Sequence, residues 1–402
     1  APCAVCAYAT CMLCLSYPVM KILSVFGTRP EAIKMAPLVK ALAEQSAMES
    51  VVCVTGQHKQ MLQQVLDLFD IVPQYDLELM TQNQTLNGLS ARLLTAFDDV
   101  LETVRPDRIL VHGDTTTAMM SALAAFHHRI PIGHVEAGLR TGELYQPWPE
   151  EMNRRTIDVC ADLLFAPTDS SRRNLQAENL GGRILVTGNT VIDALLQTTQ
   201  RILKDDAFRA ELDAHFPFLK DDRKVLLVTG HRRENFGSGF ANICEALAKL
   251  ARRDDIQIVY PIHLNPNVRG PVQTALAGLP NVHLIEPLDY ARFVRLMQRA
   301  HVILTDSGGV QEEAPSLGKP VLVMRNVTER PEAVQAGTVR LVGTEVDSIV
   351  GAVNHLYDND DAWRAFSQRL NPYGDGLASQ RIVSALRGEL VQEFLGDELE
   401  AA

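Results

Sequence analysis

The chain has 402 residues, of which 46% are apolar and 22% charged, with a formal net charge of -11 at pH 7. That length is too great for one ordinary core and implies two domains, while the composition is that of a soluble globular protein. The acidic balance excludes a nucleic-acid binder, since no basic field would gather phosphate backbones, and no apolar run approaches the roughly 20 residues of a membrane span. A small phosphorylated ligand stays open, because local arginines outweigh net charge within a Debye length of about 8 Å.

In chain order, residues 1–19 come first and carry Cys3, Cys6, Cys11 and Cys14 as two C-x-x-C pairs. No His or charged residue supports a metal site there, and no Lys or Arg precedes the apolar part as in a secretory signal. The segment is expected to be a leader or extension outside the fold. Cys53, Cys160 and Cys244 are scattered, and are expected to be buried free thiols in a reducing compartment.

From Met20 the runs KILSVF, SVVCVT, RILVH, PIGHV, LLFA and RILVT read as buried parallel strands. The stretches Pro30–Glu44, Gln57–Phe69, Gln84–Val104 and Thr115–His128 have helical spacing between them. The rhythm pauses over Gly188–Leu219 and restarts with KVLLVT, IQIVY, VHLI, VILT, PVLVM and TVRLV. The predicted architecture is α/β, with two Rossmann-like doubly wound domains facing across a cleft. The first spans 20–188 and the second 189–370, and a final helix in 371–392 crosses back to the first. Ligands of such sheets sit beyond the carboxyl ends of the strands, so those ends hold the candidate residues.

After the first strand, Gly27 and Thr28 form a turn, Arg29 follows, and Lys34 falls a helical turn beyond Pro30. Two cations at a helix start suit a phosphate better than a merely solvated face. Asp114 follows a strand and is either a site carboxylate or a helix cap. Glu136 ends another strand, and Glu150, Glu151 and Arg154 open a helix in which Glu150 and Arg154 are one turn apart. Asp114, Glu136 and Glu150 are expected to converge on one mouth, where pKa values separate into acid and base roles. In the second half, His231, Arg232 and Arg233 follow a strand, and His231 is a phosphate contact or a satisfied loop histidine. Ser307, Gly308 and Gly309 offer three free amides at a helix start for a pyrophosphate. Glu313, rather than Glu312, stands one turn on to accept a ribose diol.

The motifs FGTRPEAIKMAPL, HGDTTT, GHVEAGLRTG, PWPEEMNR, TGNTVIDAL, TGHRREN, HLNPNV, TDSGGVQEEAPSLGKPVLVMR and TERPEAV, in this order from Met20 to about Leu386, resemble the non-hydrolysing UDP-N-acetylglucosamine 2-epimerases. The resemblance implies a GT-B-like fold and a cytoplasmic homodimer. It implies UDP-GlcNAc, UDP-ManNAc and UDP as ligands, no cofactor and no metal, and supply of ManNAc-type sugars to surface polysaccharides. The family's UDP contacts fall on Arg29, His231, Ser307, Gly308, Gly309, Glu313 and Arg330, with Phe293 and the backbone at Leu288 as the uracil wall. Lys34, Asp114, Glu136, Glu150 and Arg154 match the residues around the sugar, and Asp114, Glu136, Glu150 and His231 are the catalytic candidates. Gln57, Gln60, Arg232 and His263 match parts of a second, activating UDP-GlcNAc site, although the arginine expected near Gln82–Asn83 is absent. The expected chemistry is elimination of UDP to 2-acetamidoglucal and re-addition, with a base and an acid on opposite faces of C2. The rival reading is a retaining glycosyltransferase of the same architecture.

Overall fold

The computed structural model describes residues 19–56, 59–81, 84–219 and 222–396. The expected leader with its four cysteines therefore lies outside the described residues, as do Gln57, Gln82 and Asn83. Among the described residues the first sheet comprises β1 (Met20–Phe26), β2 (Met48–Val54), β3 (Tyr75–Asp76), β4 (Arg108–His112), β5 (Ile132–Val135), β6 (Leu163–Ala166) and β7 (Arg183–Val186). The second comprises β8 (Lys224–Thr229), β9 (Ile256–Pro261), β10 (Val282–Ile285), β11 (Ala300–Thr305), β12 (Val321–Val323) and β13 (Val339–Leu341). Each pairing is parallel. The central strands are almost wholly buried because helices cover both faces of each sheet. β3 escaped the sequence reading because two residues carry no periodicity.

The sheet orders are β3-β2-β1-β4-β5-β6-β7 and β10-β9-β8-β11-β12-β13. Both reverse direction at their middle, between β1 and β4 and between β8 and β11, and such a switch point opens a crevice at the strand ends. The two sheets share an apolar cluster that runs from Ile22 and Phe26 through Ile192 and Leu195 to Leu227 and Ile303. The pause in the strand rhythm is filled by two helices, Thr190–Lys204 and Asp206–Ala214. The helix Ala378–Leu386 packs on the helices Arg29–Ala43 and Thr190–Lys204. Asp193 holds its start, accepting from the backbone N–H groups of Ala378 and Ser379 at 3.3 and 2.8 Å.

Cys53 and Cys244 are buried and unpaired, whereas Cys160 is only half-buried, so the expectation of three buried thiols holds for two. Among the described residues no helix is long and apolar enough to cross a membrane.

Candidate active site

The turn after β1 is built by a capping box. Thr28 caps the helix Arg29–Ala43, and the Glu31 carboxylate accepts from the backbone N–H groups of Gly27 and Thr28 at 3.0 and 2.7 Å. Its other oxygen accepts from Thr115 Oγ1 at 2.6 Å, which ties this turn to the one after β4. Glu31 was missed as a site residue, although Thr28-x-x-Glu31 is a readable capping signature.

Around this tie lies a cavity of about 340 Å³ whose walls include Lys34, His112, Asp114, Glu136, Arg154 and Arg330. Asp114 lines this cavity and is not a cap: Thr115 caps the following helix, and Asp114 Oδ2 accepts from Arg154 Nη2 at 2.6 Å. The turn is braced from behind as well. Asn153 donates to the Asp114 carbonyl at 2.8 Å, and His134 Nε2 lies 2.7 Å from the Gly113 carbonyl. His134 Nδ1 is in turn 2.6 Å from buried Asp158, which Arg140 also grips. Burial works to raise the Asp158 pKa, but His134 and Arg140 outweigh it and hold the carboxyl below its ordinary value.

Glu136 has φ +66°, a left-handed conformation that a non-glycine residue keeps only when its surroundings impose it, at about 1–3 kcal/mol. Here the surroundings are donors. Glu136 Oε2 pairs with Lys34 Nζ, accepts from Asn189 Nδ2 at 3.0 Å, and lies 3.5 Å from His112 Nε2. Burial pushes the Glu136 pKa up, yet Lys34 and then His112 hold it well below the ordinary value. Burial likewise works to lower the Lys34 pKa, but Glu136 and Glu312 raise it. The ammonium of Lys34 also lies 3.9 Å from Glu312. Lys34 is therefore committed to two carboxylates and does not join Arg29 as a phosphate-gripping cation, because the fold brings acids from both sheets within its reach.

Glu150 stands apart from the other two expected carboxylates. It does not line this cavity, and its expected partner Arg154 turns to Asp114 and to Glu151 Oε2, 3.4 Å away. Glu151 is fully buried behind the helix start and accepts from the Thr141 N–H at 3.2 Å. Glu150 keeps one carboxylate oxygen, Oε2, buried without a hydrogen-bond partner.

Across the crevice a second cavity of about 220 Å³ has Arg29, His231, Leu288, Tyr290, Phe293 and Ser307 in its walls. Arg29 Nη1 reaches over from the first sheet to the Leu288 carbonyl at 3.5 Å. Leu288 and Phe293 thus form the apolar side of one pocket with Arg29. His231 belongs to this pocket and not to the one lined by Asp114 and Glu136, which separates it from the carboxylates it was grouped with. Its ring stacks on His263, with centroids 5.5 Å apart. Burial lowers its pKa against the opposing effect of Asp306. Fully buried Asp306 holds this loop by accepting from the backbone N–H groups of His231 and Arg232 at 2.9 and 2.8 Å.

Of the three amides expected to be free, that of Ser307 is already used, donating to Thr305 Oγ1 at 2.9 Å. The amides of Gly308 and Gly309 open the helix Gly308–Glu313 and have no partner within it. A Cβ on Gly308 would come 3.6 Å from Arg232 Nη2 and 3.8 Å from Arg330 Nη2, so two guanidinium groups crowd this start. Arg330 itself ion-pairs with Glu312. Glu313 is buried, lines neither cavity, and burial, with help from Glu312, pushes its pKa up to about 8. At neutral pH it is therefore mostly a neutral acid, not the carboxylate expected to accept a diol. His263 lines the second pocket and Arg232 stands beside Gly308, whereas Gln60 is exposed on the helix Lys59–Leu68 and lines neither cavity.

Two parallel α/β units that bring a cation-rich, apolar-walled pocket to face a carboxylate-lined one define a GT-B-like protein of the nucleotide-sugar kind. The signature of one such family, described as UDP-N-acetylglucosamine 2-epimerase, matches residues 40–387. The chain is 58% identical to the UDP-N-acetylglucosamine 2-epimerase of Escherichia coli over 374 residues, 92% of this chain and 100% of that one. It is 58% identical to a probable UDP-N-acetylglucosamine 2-epimerase of Ralstonia nicotianae over 369 residues, 91% of this chain and 98% of that one. Among solved structures, the UDP-GlcNAc 2-epimerase of Neisseria meningitidis bound to UDP-GlcNAc superposes with a TM-score of 0.85 at 50% identity, covering 92% of this chain and 100% of that one. The chain belongs to the UDP-N-acetylglucosamine 2-epimerase family.

Proposed function

We propose that the chain interconverts UDP-GlcNAc and UDP-ManNAc, without releasing free sugar, by elimination and re-addition of UDP. The uridine lies against Leu288 and Phe293, the diphosphate at Gly308 and Gly309 beneath the arginines, and the sugar between Asp114 and Glu136. In the first half-reaction the C2–H bond breaks and its proton passes to a carboxylate. The electron pair forms the C1=C2 bond of 2-acetamidoglucal as the C1–O bond breaks and its electrons leave with UDP. UDP then adds back at C1 while a proton arrives on the opposite face of C2. Cations beside the diphosphate stabilise the charge that develops on the leaving group and keep it in place for return. The observation that carries this reading is the placement of Asp114 and Glu136 in one cavity, the one with Arg154, the other with Lys34, opposite Arg330.

Proton NMR of UDP-GlcNAc with the protein in deuterated water tests it. Loss of the C2 proton signal and growth of UDP-ManNAc, with no acceptor present, are expected. Turnover that requires an acceptor, without C2 exchange, would instead indicate a glycosyltransferase. The same reading has the protein work in the cytoplasm as a homodimer that supplies ManNAc-type sugars for surface polysaccharides. The exposed Leu86, Trp148 and Met152 around one surface cavity support a second copy docking there.

A further inference from the structure

His112 ends β4 at the floor of the sugar-side cavity and is only 3% exposed. Both of its ring nitrogens are buried without a hydrogen-bond partner, a costly arrangement that ordinarily marks a bond made in another state. Its nearest charged neighbour is Glu136, with Nε2 3.5 Å from Oε2. That separation is too long for a good hydrogen bond, but catalytic bonds often tighten only once substrate is bound.

Among the described residues, His112, Lys34 and Asn189 all meet Glu136 at the same oxygen, Oε2. Oε1 is then the atom left to meet a substrate. The other charged groups facing this pair are Lys34 and Glu31 on the helix Arg29–Ala43, Asp114 on the turn after β4 and Arg154 on the helix Glu150–Cys160. From the second sheet come Glu312 and Arg330, with Arg140 and Glu329 at the rim. Beside these, His112 is the donor whose bond to Glu136 is not yet closed at 3.5 Å.

We propose that His112 is a positioning residue that acts through Glu136: its imidazole donates from Nε2–H to Oε2, keeping the carboxylate ionised and turning Oε1 toward the C2–H bond. The proposal rests on the epimerase reading above. Glu136 takes the proton from C2 in one direction of the reaction and returns it in the other. His112 never receives that proton; it sets how strongly Glu136 holds it.

The test is C2 deuterium exchange into UDP-GlcNAc from pH 3 to 9 for the wild type and for His112→Leu, His112→Gln and His112→Asn. Loss of the donor raises the pKa of buried Glu136, so the acid limb of the Leu profile should move up by about one pH unit. The plateau rate at pH 7.5 should fall about tenfold, because Oε1 is no longer turned toward the C2–H bond. The Gln amide reaches the Nε2 position and should bring the limb back to within roughly 0.3 unit of wild type. The Asn amide is too short and should behave like Leu. UDP affinity within about twofold of wild type shows that each variant is folded, and if Leu fails this control the Gln–Asn comparison decides. An unshifted acid limb in Leu and Asn, or equal behaviour of Gln and Asn, overturns the role of His112. A wild-type protein that exchanges no C2 proton overturns the epimerase reading itself, so the two failures are distinguishable.

Discussion

Replacing Lys34 with methionine keeps the volume of the side chain and removes its charge. Lys34 is 14% exposed and stands between Glu136, 10% exposed, and Glu312, 3% exposed. At 3.9 Å and an effective dielectric constant of ~20, the attraction to Glu312 alone is about 4 kcal/mol before desolvation. Breaking a buried pair from one side typically costs about 3–5 kcal/mol, because the charge left behind stays buried. Arg330 still neutralises Glu312 in the variant, and Asn189 still donates to Glu136, so the lower end applies: about 3 kcal/mol at pH 7.5.

The pH dependence follows from Glu136. In the wild type its pKa is depressed, so it contributes stability above the unfolded carboxylate value, lost as the pH falls through the folded one. Without Lys34 burial is opposed mainly by His112 and Asn189, the folded pKa rises, and Glu136 destabilises the variant increasingly as pH increases. The difference between wild type and Lys34→Met should therefore shrink from pH 7.5 to pH 4.5 in urea unfolding. Lys34→Met combined with Glu136→Gln should recover most of the loss, with a coupling of about 2 kcal/mol. Additive single effects, or a difference that stays constant with pH, would refute the buried-pair account.

Glu313→Gln should remove a pH dependence of opposite sign. Because burial raises Glu313 from 4.5 to about 8, the folded state binds a proton that the unfolded state has lost across that window, and wild-type stability falls as pH rises through it. Relative to wild type the variant should gain about 2–4 kcal/mol between pH 5 and 8.5 in urea unfolding, and a constant difference would argue against a protonated Glu313. Glu31→Ala deletes the acceptor for Gly27, Thr28 and Thr115 and should cost about 2–3 kcal/mol. UDP binding should weaken with it, since the turn carrying Arg29 loses its anchor; a loss below about 1 kcal/mol by urea unfolding would show that the anchor is dispensable.

What the sequence settled by itself is whatever depends on near neighbours. Unbroken apolar runs such as residues 109–111 and Leu163–Ala166 read as strands buried on both faces, and Thr28-Arg29-Pro30-Glu31 carries its own helix start. Strand ends were therefore legible, and with them Asp114, Glu136 and the Ser307–Gly309 turn as places to look. Which groups meet there was decided only by the tertiary structure. Lys34 pairs with residues 136 and 312, and Arg29 crosses to Leu288, because sheet order and the facing of the two units bring remote strand ends together. His112 looked like the last residue of a strand, Glu150 looked better aimed than Glu151, and Glu313 looked ionised. Each of those judgements turned on burial and on partners far away in the chain, and an ionisable group takes its direction and its proton affinity from what surrounds it in space.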